Sequence, residues 1–157
     1  MYVISTMTAA DMDGKGYVHW KSWQETYTGL MPQEYLDRMT LEKCIQIARK
    51  WPDGLIVAKK DGRVIGFAGY GRYRDDTLSD TGEVFALYVL KEFHGQKVGY
   101  DLMNEAMRRL ADYPQAALWV LKGNERAIRF YQRYGFQFDG TELTSAAGTE
   151  LRMILYK

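Results

Sequence analysis

A glycine-rich turn, residues 94–99 (HGQKVG), follows a strongly apolar run and precedes a helical pattern. Gly95 and Gly99 allow the backbone to turn tightly and to approach a ligand closely. The first turn of a helix has N–H groups without intrahelical partners, and the helix dipole adds partial positive charge. A phosphate or pyrophosphate suits this place, and Lys97 would add a full charge. A plain strand-to-helix turn explains the same residues. The glycine spacing is neither that of a dinucleotide fold nor that of a P-loop, which argues against dinucleotide and NTP binding.

A second segment that could do chemistry is residues 123–136 (GNERAIRFYQRYGF). Asn124 stands at the N-cap position of a helix that Gly135 ends. Tyr131 follows Asn124 by about two helical turns, so both lie on nearly the same side. An amide and a phenol there could hold a ligand and deliver a proton. Alternatively, Asn124 only caps the helix and Tyr131 only packs.

The elements around these segments predict one α/β unit over residues 1–157. Two residues, Asp61-Gly62, separate β-rich runs and predict a hairpin. The predicted order is a first strand, helices over about 9–27 and 33–50, the hairpin of 55–60 and 63–73, a buried strand over 82–90, an amphipathic helix from about 98, a strand over 116–121, a helix from 124, and two antiparallel strands. This order predicts a mixed sheet with helices on both faces.

Composition excludes several classes of function. The chain has 157 residues and a net charge of +1, so no basic footprint indicates a nucleic-acid partner. Cys44 is the one cysteine and there are two histidines, which argues against a disulfide or a metal site. Cys44 is expected to be a small buried residue. No apolar run reaches the roughly 18 residues that span a bilayer, and no signal-peptide pattern begins the chain. We expect a metal-free cytoplasmic protein without a membrane partner.

Two segments together resemble a known family. Residues 82–103 (GEVFALYVLKEFHGQKVGYDLM) are similar to the pyrophosphate-loop motif, [QR]xxGx[GA], of the GNAT acyl-CoA-dependent N-acetyltransferases. Residues 119–136 (WVLKGNERAIRFYQRYGF) resemble that family's NxxAxxFYxxxGF helix. The order of elements agrees over nearly the whole chain. The resemblance implies the GNAT fold, a mixed central sheet of about six to seven strands flanked by about four helices.

The loop departs from the family pattern at two positions. His94 stands where the family has Gln or Arg, and Lys97 replaces the usual middle glycine, whereas Gly99 matches. Backbone N–H groups do most of the work of such a loop, so Lys97 need not abolish binding. It does require a backbone conformation that is not restricted to glycine.

The resemblance implies that acetyl-CoA is the cosubstrate, in a V-shaped gap between residues 82–90 and 116–121. Main-chain groups near Leu87 and Val89 would pair with the pantetheine arm, and Asn124 would bind the cofactor from the other side. The implied pyrophosphate loop consists of His94, Gly95, Gln96, Lys97, Val98, Gly99 and Tyr100. Tyr131 would lie near the sulfur, bind the cofactor there and protonate the leaving thiolate. The amine would attack the thioester directly, without an enzyme nucleophile.

The acceptor amine must be neutral when it attacks, so a base or a water path must remove its proton. Glu83, at a place where related enzymes often carry a glutamate, is the candidate general base, directly or through water. The alternative is a solvated carboxylate at the end of a strand.

The resemblance also implies an acceptor, a small primary amine. Trp23, Tyr27, Tyr70 and Glu83 are the candidate acceptor-binding residues, because aromatic faces and acids suit an alkylammonium group. A polyamine-like acceptor is one interpretation, supported by the acidic loop around residues 75–80. A protein or peptide N-acetyltransferase and a non-catalytic acyl-CoA-binding sensor are the alternatives. Homodimers are common in this family, so a homodimer is a further expectation.

Overall fold

The computed structural model of the protein describes residues 1–157 and contains one seven-stranded sheet. The strands are β1 (Val3–Thr6), β2 (Leu55–Lys60), β3 (Arg63–Arg72), β4 (Thr81–Val89), β5 (Gln115–Leu121), β6 (Gln137–Ser145) and β7 (Gly148–Tyr156). The helices are α1 (Met12–Tyr27), α2 (Gln33–Arg38), α3 (Leu41–Lys50), α4 (Val98–Arg109) and α5 (Glu125–Tyr134). Short 3-10 helices at Ala9–Asp11 and Lys91–Phe93 precede α1 and follow β4. The predicted α/β class with a mixed sheet is confirmed.

The single helix predicted over residues 33–50 is wrong, because the chain forms α2 and α3 there. The break lies at Met39 and Thr40, and the Thr40 hydroxyl accepts a hydrogen bond from the Lys43 N–H at 3.1 Å. A threonine that accepts this bond starts a helix, so the N-cap signal outweighs the periodicity across it. Cys44 in α3 is fully buried, as expected.

The hairpin between β2 and β3 forms as predicted. Asp61 and Gly62 both have positive φ, 52° and 78°, which is typical of the turn whose twist matches that of paired strands. The two strands pair in antiparallel register from Leu55 opposite Gly69 to Lys60 opposite Arg63.

The strand order is β1-β2-β3-β4-β5-β7-β6, and every neighbouring pair is antiparallel except β4 and β5. This parallel pair is joined only from Thr81 opposite Gln115 to Glu83 opposite Ala117. Both strands continue beyond this point without pairing to each other, so a gap opens in the middle of the sheet.

Helices cover both faces of the sheet. Leu102 of α4 is fully buried in the larger core cluster with Leu118 of β5. Val18 of α1 is fully buried in a second cluster, with Phe67 of β3. Burial of one such side chain contributes about 1.5–3 kcal/mol, so these clusters fix the helices against the sheet. No helix has both the length and the apolar character needed to cross a bilayer.

Candidate active site

A cavity of about 580 Å³ occupies the gap between β4 and β5. Its walls are the free edge of β4, the turn before α4, the end of β5, one face of α5 and the last residues of α1. Most residues of the predicted cofactor site line it, namely Leu87, Val89, His94, Gly95, Lys97, Val98, Gly99, Tyr100, Asn124 and Tyr131. Gln96 alone of that set does not. The two segments, residues 94–99 and 123–136, therefore face one cavity.

The turn before α4 presents a row of free donors. None of the backbone N–H groups from Gly95 to Tyr100 donates to a backbone carbonyl. Gly95 and Lys97 have positive φ, 79° and 67°. Lys97 thus adopts the left-handed conformation, which glycine takes freely and which costs other residues about 1–2 kcal/mol. The position favours glycine without being restricted to it, so the turn is kept despite the lysine.

The free edge of β4 points main-chain groups into the cavity. The Leu90 N–H donates to the Ile65 carbonyl of β3 at 3.0 Å, and successive residues of a strand point to opposite edges. Leu87 and Val89 therefore face the gap. The Val89 carbonyl accepts a hydrogen bond from His94 Nε2 at 2.9 Å, which assigns the proton of the neutral ring to Nε2. Burial lowers the pKa of His94, although this hydrogen bond acts in the opposite direction.

Asn124 is the N-cap of α5, as predicted. Its Oδ1 accepts a hydrogen bond from the Ala127 N–H at 3.4 Å, while the residue also lines the cavity. The cap occupies the oxygen and leaves the amide nitrogen available as a donor. Capping and ligand contact are therefore compatible at this residue.

Tyr131 lies on the cavity wall, two turns further along α5. Its pKa is raised by burial and by the neighbouring Tyr88. The phenol is consequently protonated at neutral pH and can donate its proton. Tyr88 was missed in the sequence, because it stands in a strongly apolar run that reads as core. The Tyr88 hydroxyl lies 3.1 Å from that of Tyr27, which also lines the cavity.

Glu83 is buried beside the end of the β4–β5 ladder, with a side-chain exposure of 2%. Its carboxylate accepts hydrogen bonds from the Arg74 backbone N–H at 3.1 Å and from the guanidinium, through both oxygens. Glu83 does not line the cavity, although Val84 does. Its assignment as a general base stays a prediction.

The other candidate acceptor-binding residues lie in different parts of the molecule. Trp23 packs against the rings of Tyr27 and Tyr35, behind the cavity wall. Tyr70 packs against the α4 cluster on the other face, where Arg109 donates to its hydroxyl at 3.1 Å. The structure therefore brings Tyr27 to the cavity but neither Trp23 nor Tyr70.

In the acidic loop before β4, Asp75 and Asp76 interact with neighbouring residues of the chain. Asp75 accepts hydrogen bonds from the Thr77 N–H and hydroxyl, and Asp76 lies 3.7 Å from the Arg72 guanidinium. The loop lines no part of the cavity.

The lining of the cavity is rich in cationic side chains. They are Lys91, Lys97, Arg126 and Arg133. The lining also contains one carboxylate, Glu25, which accepts a hydrogen bond from the Lys91 N–H at 3.0 Å. With the free N–H groups, this surplus of positive charge suits a phosphorylated ligand.

Comparison with known proteins finds similarity to acetyltransferases. Residues 18–136 match the model of the acetyltransferase (GNAT) family. An uncharacterized N-acetyltransferase of Archaeoglobus fulgidus is 33% identical and aligns with 68% of this chain and 76% of its own. The uncharacterized N-acetyltransferase YuaI of Bacillus subtilis is 27% identical over 98% of this chain and 91% of its own.

Solved structures with the same fold cover nearly the whole chain. The PaiA N-acetyltransferase of Thermoplasma acidophilum, in complex with coenzyme A, has a TM-score of 0.77 and 22% identity, covering 100% of this chain and 99% of its own. A ribosomal-protein-alanine N-acetyltransferase of Brucella melitensis has a TM-score of 0.76 and 21% identity, covering 99% of each chain.

Proposed function

The chain belongs to the acetyltransferase (GNAT) family and is an acyltransferase, and we propose that it acetylates the primary amine of a small molecule with acetyl-CoA. Residues 1–157 form a single catalytic domain in this proposal. Amine and acetyl-CoA bind together, and the amine nitrogen attacks the thioester carbonyl directly. The new C–N bond forms as the C–S bond breaks, and the thiolate leaves with a proton from the enzyme.

The pyrophosphate of acetyl-CoA binds to the free N–H groups from Gly95 to Tyr100. Anions bind well at a helix N-terminus because several donors converge there and the dipole is favourable. Lys97 and Arg126 on the lining add full charges. This site needs no particular side chain at the turn, so the family's usual residues at positions 94 and 97 are dispensable.

The pantetheine arm adds to β4 as an extra strand. Leu87 offers both main-chain groups to the gap, and Val89 offers its N–H while its carbonyl is held by His94. The arm therefore either pairs around this hydrogen bond or displaces the imidazole. Asn124 binds the cofactor with its amide nitrogen from the α5 side.

Tyr131 is the general acid. It is protonated at neutral pH, and its hydroxyl makes no hydrogen bond within the protein that would have to break first. Thiolate protonation by a positioned phenol typically contributes about 10²–10⁴-fold to the rate.

Removal of the amine proton is the step for which Glu83 is the candidate base. Because Arg74 holds both of its oxygens and Glu83 lies off the cavity, any such role must run through water. We propose that water carries the amine proton to solvent. Glu83 then serves chiefly to hold Arg74 in place through its hydrogen bonds and ion pair.

The size of the acceptor is limited by the loop between α1 and α2. A Leu30 methyl carbon lies 3.4 Å from where a Cβ would stand at Gly123, so this loop reaches the turn between β5 and α5. The loop continues directly from Tyr27, so we infer that it covers the end of the gap there, although none of its own residues lines the cavity. A covered end supports a small acceptor rather than a segment of folded protein.

The observation that carries the proposal is Tyr131 on the wall of a gap between two parted parallel strands. The test is release of free thiol from acetyl-CoA with small amines, amino acids and N-terminal peptides. Turnover with small amines is the expected result. Turnover confined to peptides would overturn the acceptor class, and coenzyme A binding without any turnover would overturn catalysis in favour of a sensor.

A further inference from the structure

The two strands that border the gap carry aromatic rings at the point where they separate. The ladder between β4 and β5 ends at Glu83, which pairs with Ala117. Phe85 and Trp119 are each two residues further along their strands, and both line the cavity. The start of the gap therefore has an aromatic residue on each strand.

Phe85 is the extra residue of a β-bulge in β4. In the ladder with β3, Ala86 pairs with Gly69 and Val84 pairs with Tyr70, so Phe85 between them has no partner. A Cβ at Gly69 would lie 2.3 Å from a carbon of the Phe85 ring, so the ring lies directly over the glycine backbone. Bulges re-aim side chains in this way. The side chain is nonetheless 50% exposed.

The Phe85 ring lies on the face of the sheet that α1 covers. Phe67 of β3 is buried with Val18 of α1, and alternate residues of a strand point to the same face. Gly69, two residues after Phe67, therefore points to this face, and the ring that lies over it is on this face too. The ring thus borders the part of the cavity that the end of α1 also lines.

Trp119 is on the same face, because Leu121, two residues later, is buried with Tyr27 of α1. Two guanidinium groups flank the Trp119 ring. The central carbons of Arg74 and Arg152 lie 5.6 and 5.7 Å from its centroid. Positive charge therefore already lies beside this ring, whereas the Phe85 ring has no cation over it.

The order of groups along β4 indicates what meets Phe85. The proposed pyrophosphate site follows β4, and the pantetheine arm runs back along the strand past Val89 and Leu87. Phe85 is two residues, or about 7 Å of strand, beyond Leu87. The thioester end of the cofactor therefore points toward Phe85, and the substituent of an attacking amine lies beside that ring.

We propose that Phe85 determines acceptor specificity by packing against an uncharged apolar group of the amine, so that the acceptor is an arylalkylamine rather than a polyamine. This inference rests on the proposed function. The half-exposed ring is removed from water when such a group covers it, which favours binding. A second ammonium group would find no such partner, because Glu25 is the one carboxylate of the lining and already accepts the Lys91 N–H at 3.0 Å.

The test measures thiol release from acetyl-CoA with phenethylamine, ethylamine and the diamine putrescine. We expect the wild-type kcat/KM for phenethylamine to exceed the other two by roughly 10–100-fold, the range for an added apolar group in an apolar pocket. Phe85→Ala should bring both ratios close to one. Phe138→Ala is the matched control, because Phe138 is 44% exposed on β6 and does not line the cavity.

A second variant moves the ring without removing it. Gly69→Ala places a methyl group 2.3 Å from the Phe85 ring, and Gly69 itself does not line the cavity. The ring must shift, so we expect the preference for phenethylamine to fall about three- to tenfold, as for coupled neighbours. In the Phe85→Ala background, Gly69→Ala should leave the substrate ratios unchanged. Partial loss of folding would lower all rates together and would not move these ratios.

The outcomes separate this inference from the function on which it rests. A wild-type enzyme that uses the three amines equally, or that prefers putrescine, would overturn the role of Phe85 while amine acetylation stands. Unchanged ratios in Phe85→Ala would do the same, as would equal changes in Phe138→Ala. An effect confined to the KM for acetyl-CoA would assign Phe85 to the cofactor and overturn it as well. A wild-type enzyme that acetylates no small amine would overturn both.

Discussion

The two ends of the cavity are built from different kinds of group. The phosphate end, Gly95 to Tyr100, presents main-chain N–H groups from one continuous turn. The covered end is formed by side chains, with Tyr27 and Trp119 coming from α1 and β5. A backbone site tolerates changes of side chain as long as the turn keeps its shape. A side-chain site changes its ligand with single substitutions, so we expect the cofactor to be the fixed partner and the acceptor the variable one.

Tyr131 lies between the two ends, and its removal should have the largest effect. We expect Tyr131→Phe to lower turnover about 10²–10⁴-fold, because the leaving thiolate loses its acid. The affinity for acetyl-CoA should change little. Steady-state rates of thiol release, with a coenzyme titration, provide the measurement.

Tyr134→Phe is the matched control for this variant. Tyr134 lies on the same helix, but its hydroxyl donates to Asn104 and it does not line the cavity. Equal rates for Tyr131→Phe and the wild type would remove the assigned role of the acid. Equal losses in both variants would mean that the hydroxyls act through the packing of α5.

A larger side chain beside the backbone of the phosphate end should weaken the use of acetyl-CoA. A Cβ at Gly99 would lie 3.8 Å from Val89 and 4.0 Å from Phe130, which is ordinary contact, so a side chain fits but projects toward the cavity. We expect Gly99→Leu to lower kcat/KM for acetyl-CoA about 10–100-fold by displacing the ligand. Stability should not fall, since leucine favours a helix more than glycine does.

Gly71→Leu is the control, because Gly71 has open space around its Cβ position and does not line the cavity. Wild-type kinetics in Gly99→Leu would place the pyrophosphate elsewhere. A loss confined to the amine KM would mean that this turn belongs to the acceptor.

The same contrast explains what the sequence could predict. The phosphate end and α5 are local in sequence, so every residue predicted there from positions 94–100 and 123–136 lines the cavity except Gln96, although Lys91, Arg126 and Arg133 were not foreseen. The covered end depends on tertiary packing, since Tyr27 of α1 meets Tyr88 of β4 there, with the two hydroxyls 3.1 Å apart. Tyr70 and Tyr88 illustrate the difficulty, since both read as strand tyrosines, yet Tyr70 faces Arg109 on one side and Tyr88 faces Tyr27 on the other.

Replacing Glu83 shows whether this residue acts as a general base or only stabilises the fold through Arg74. We expect Glu83→Gln to lower the free energy of unfolding by about 1–2 kcal/mol, less than for a fully buried pair because Arg74 is 43% exposed. The pH profile of kcat/KM should keep its shape. Urea unfolding and rate profiles measure the two effects.

Glu92→Gln is the matched control for this pair, because its partner Arg63 and Glu92 itself are 51% and 60% exposed, and such pairs contribute about 0–1 kcal/mol. A profile shifted toward higher pH in Glu83→Gln, with stability retained, would restore Glu83 as the base.

Replacement of Lys97 should have the smallest effect on acetyl-CoA binding, because backbone N–H groups form most of the phosphate end and the lysine side chain only adds to them. Lys97→Gly relieves a left-handed residue, worth about 1–2 kcal/mol, but glycine also gains about 0.5–1 kcal/mol of freedom in the unfolded chain. We therefore expect a net stabilisation below about 1 kcal/mol. Loss of one exposed charge should weaken acetyl-CoA binding about two- to fivefold.

Asp61→Gly, at a left-handed residue of the β2–β3 turn, should show a similar change in stability without the change in affinity. If Lys97→Gly weakened binding a hundredfold, the lysine side chain, not the backbone, would be the main phosphate ligand, and the contrast between the two ends would fail.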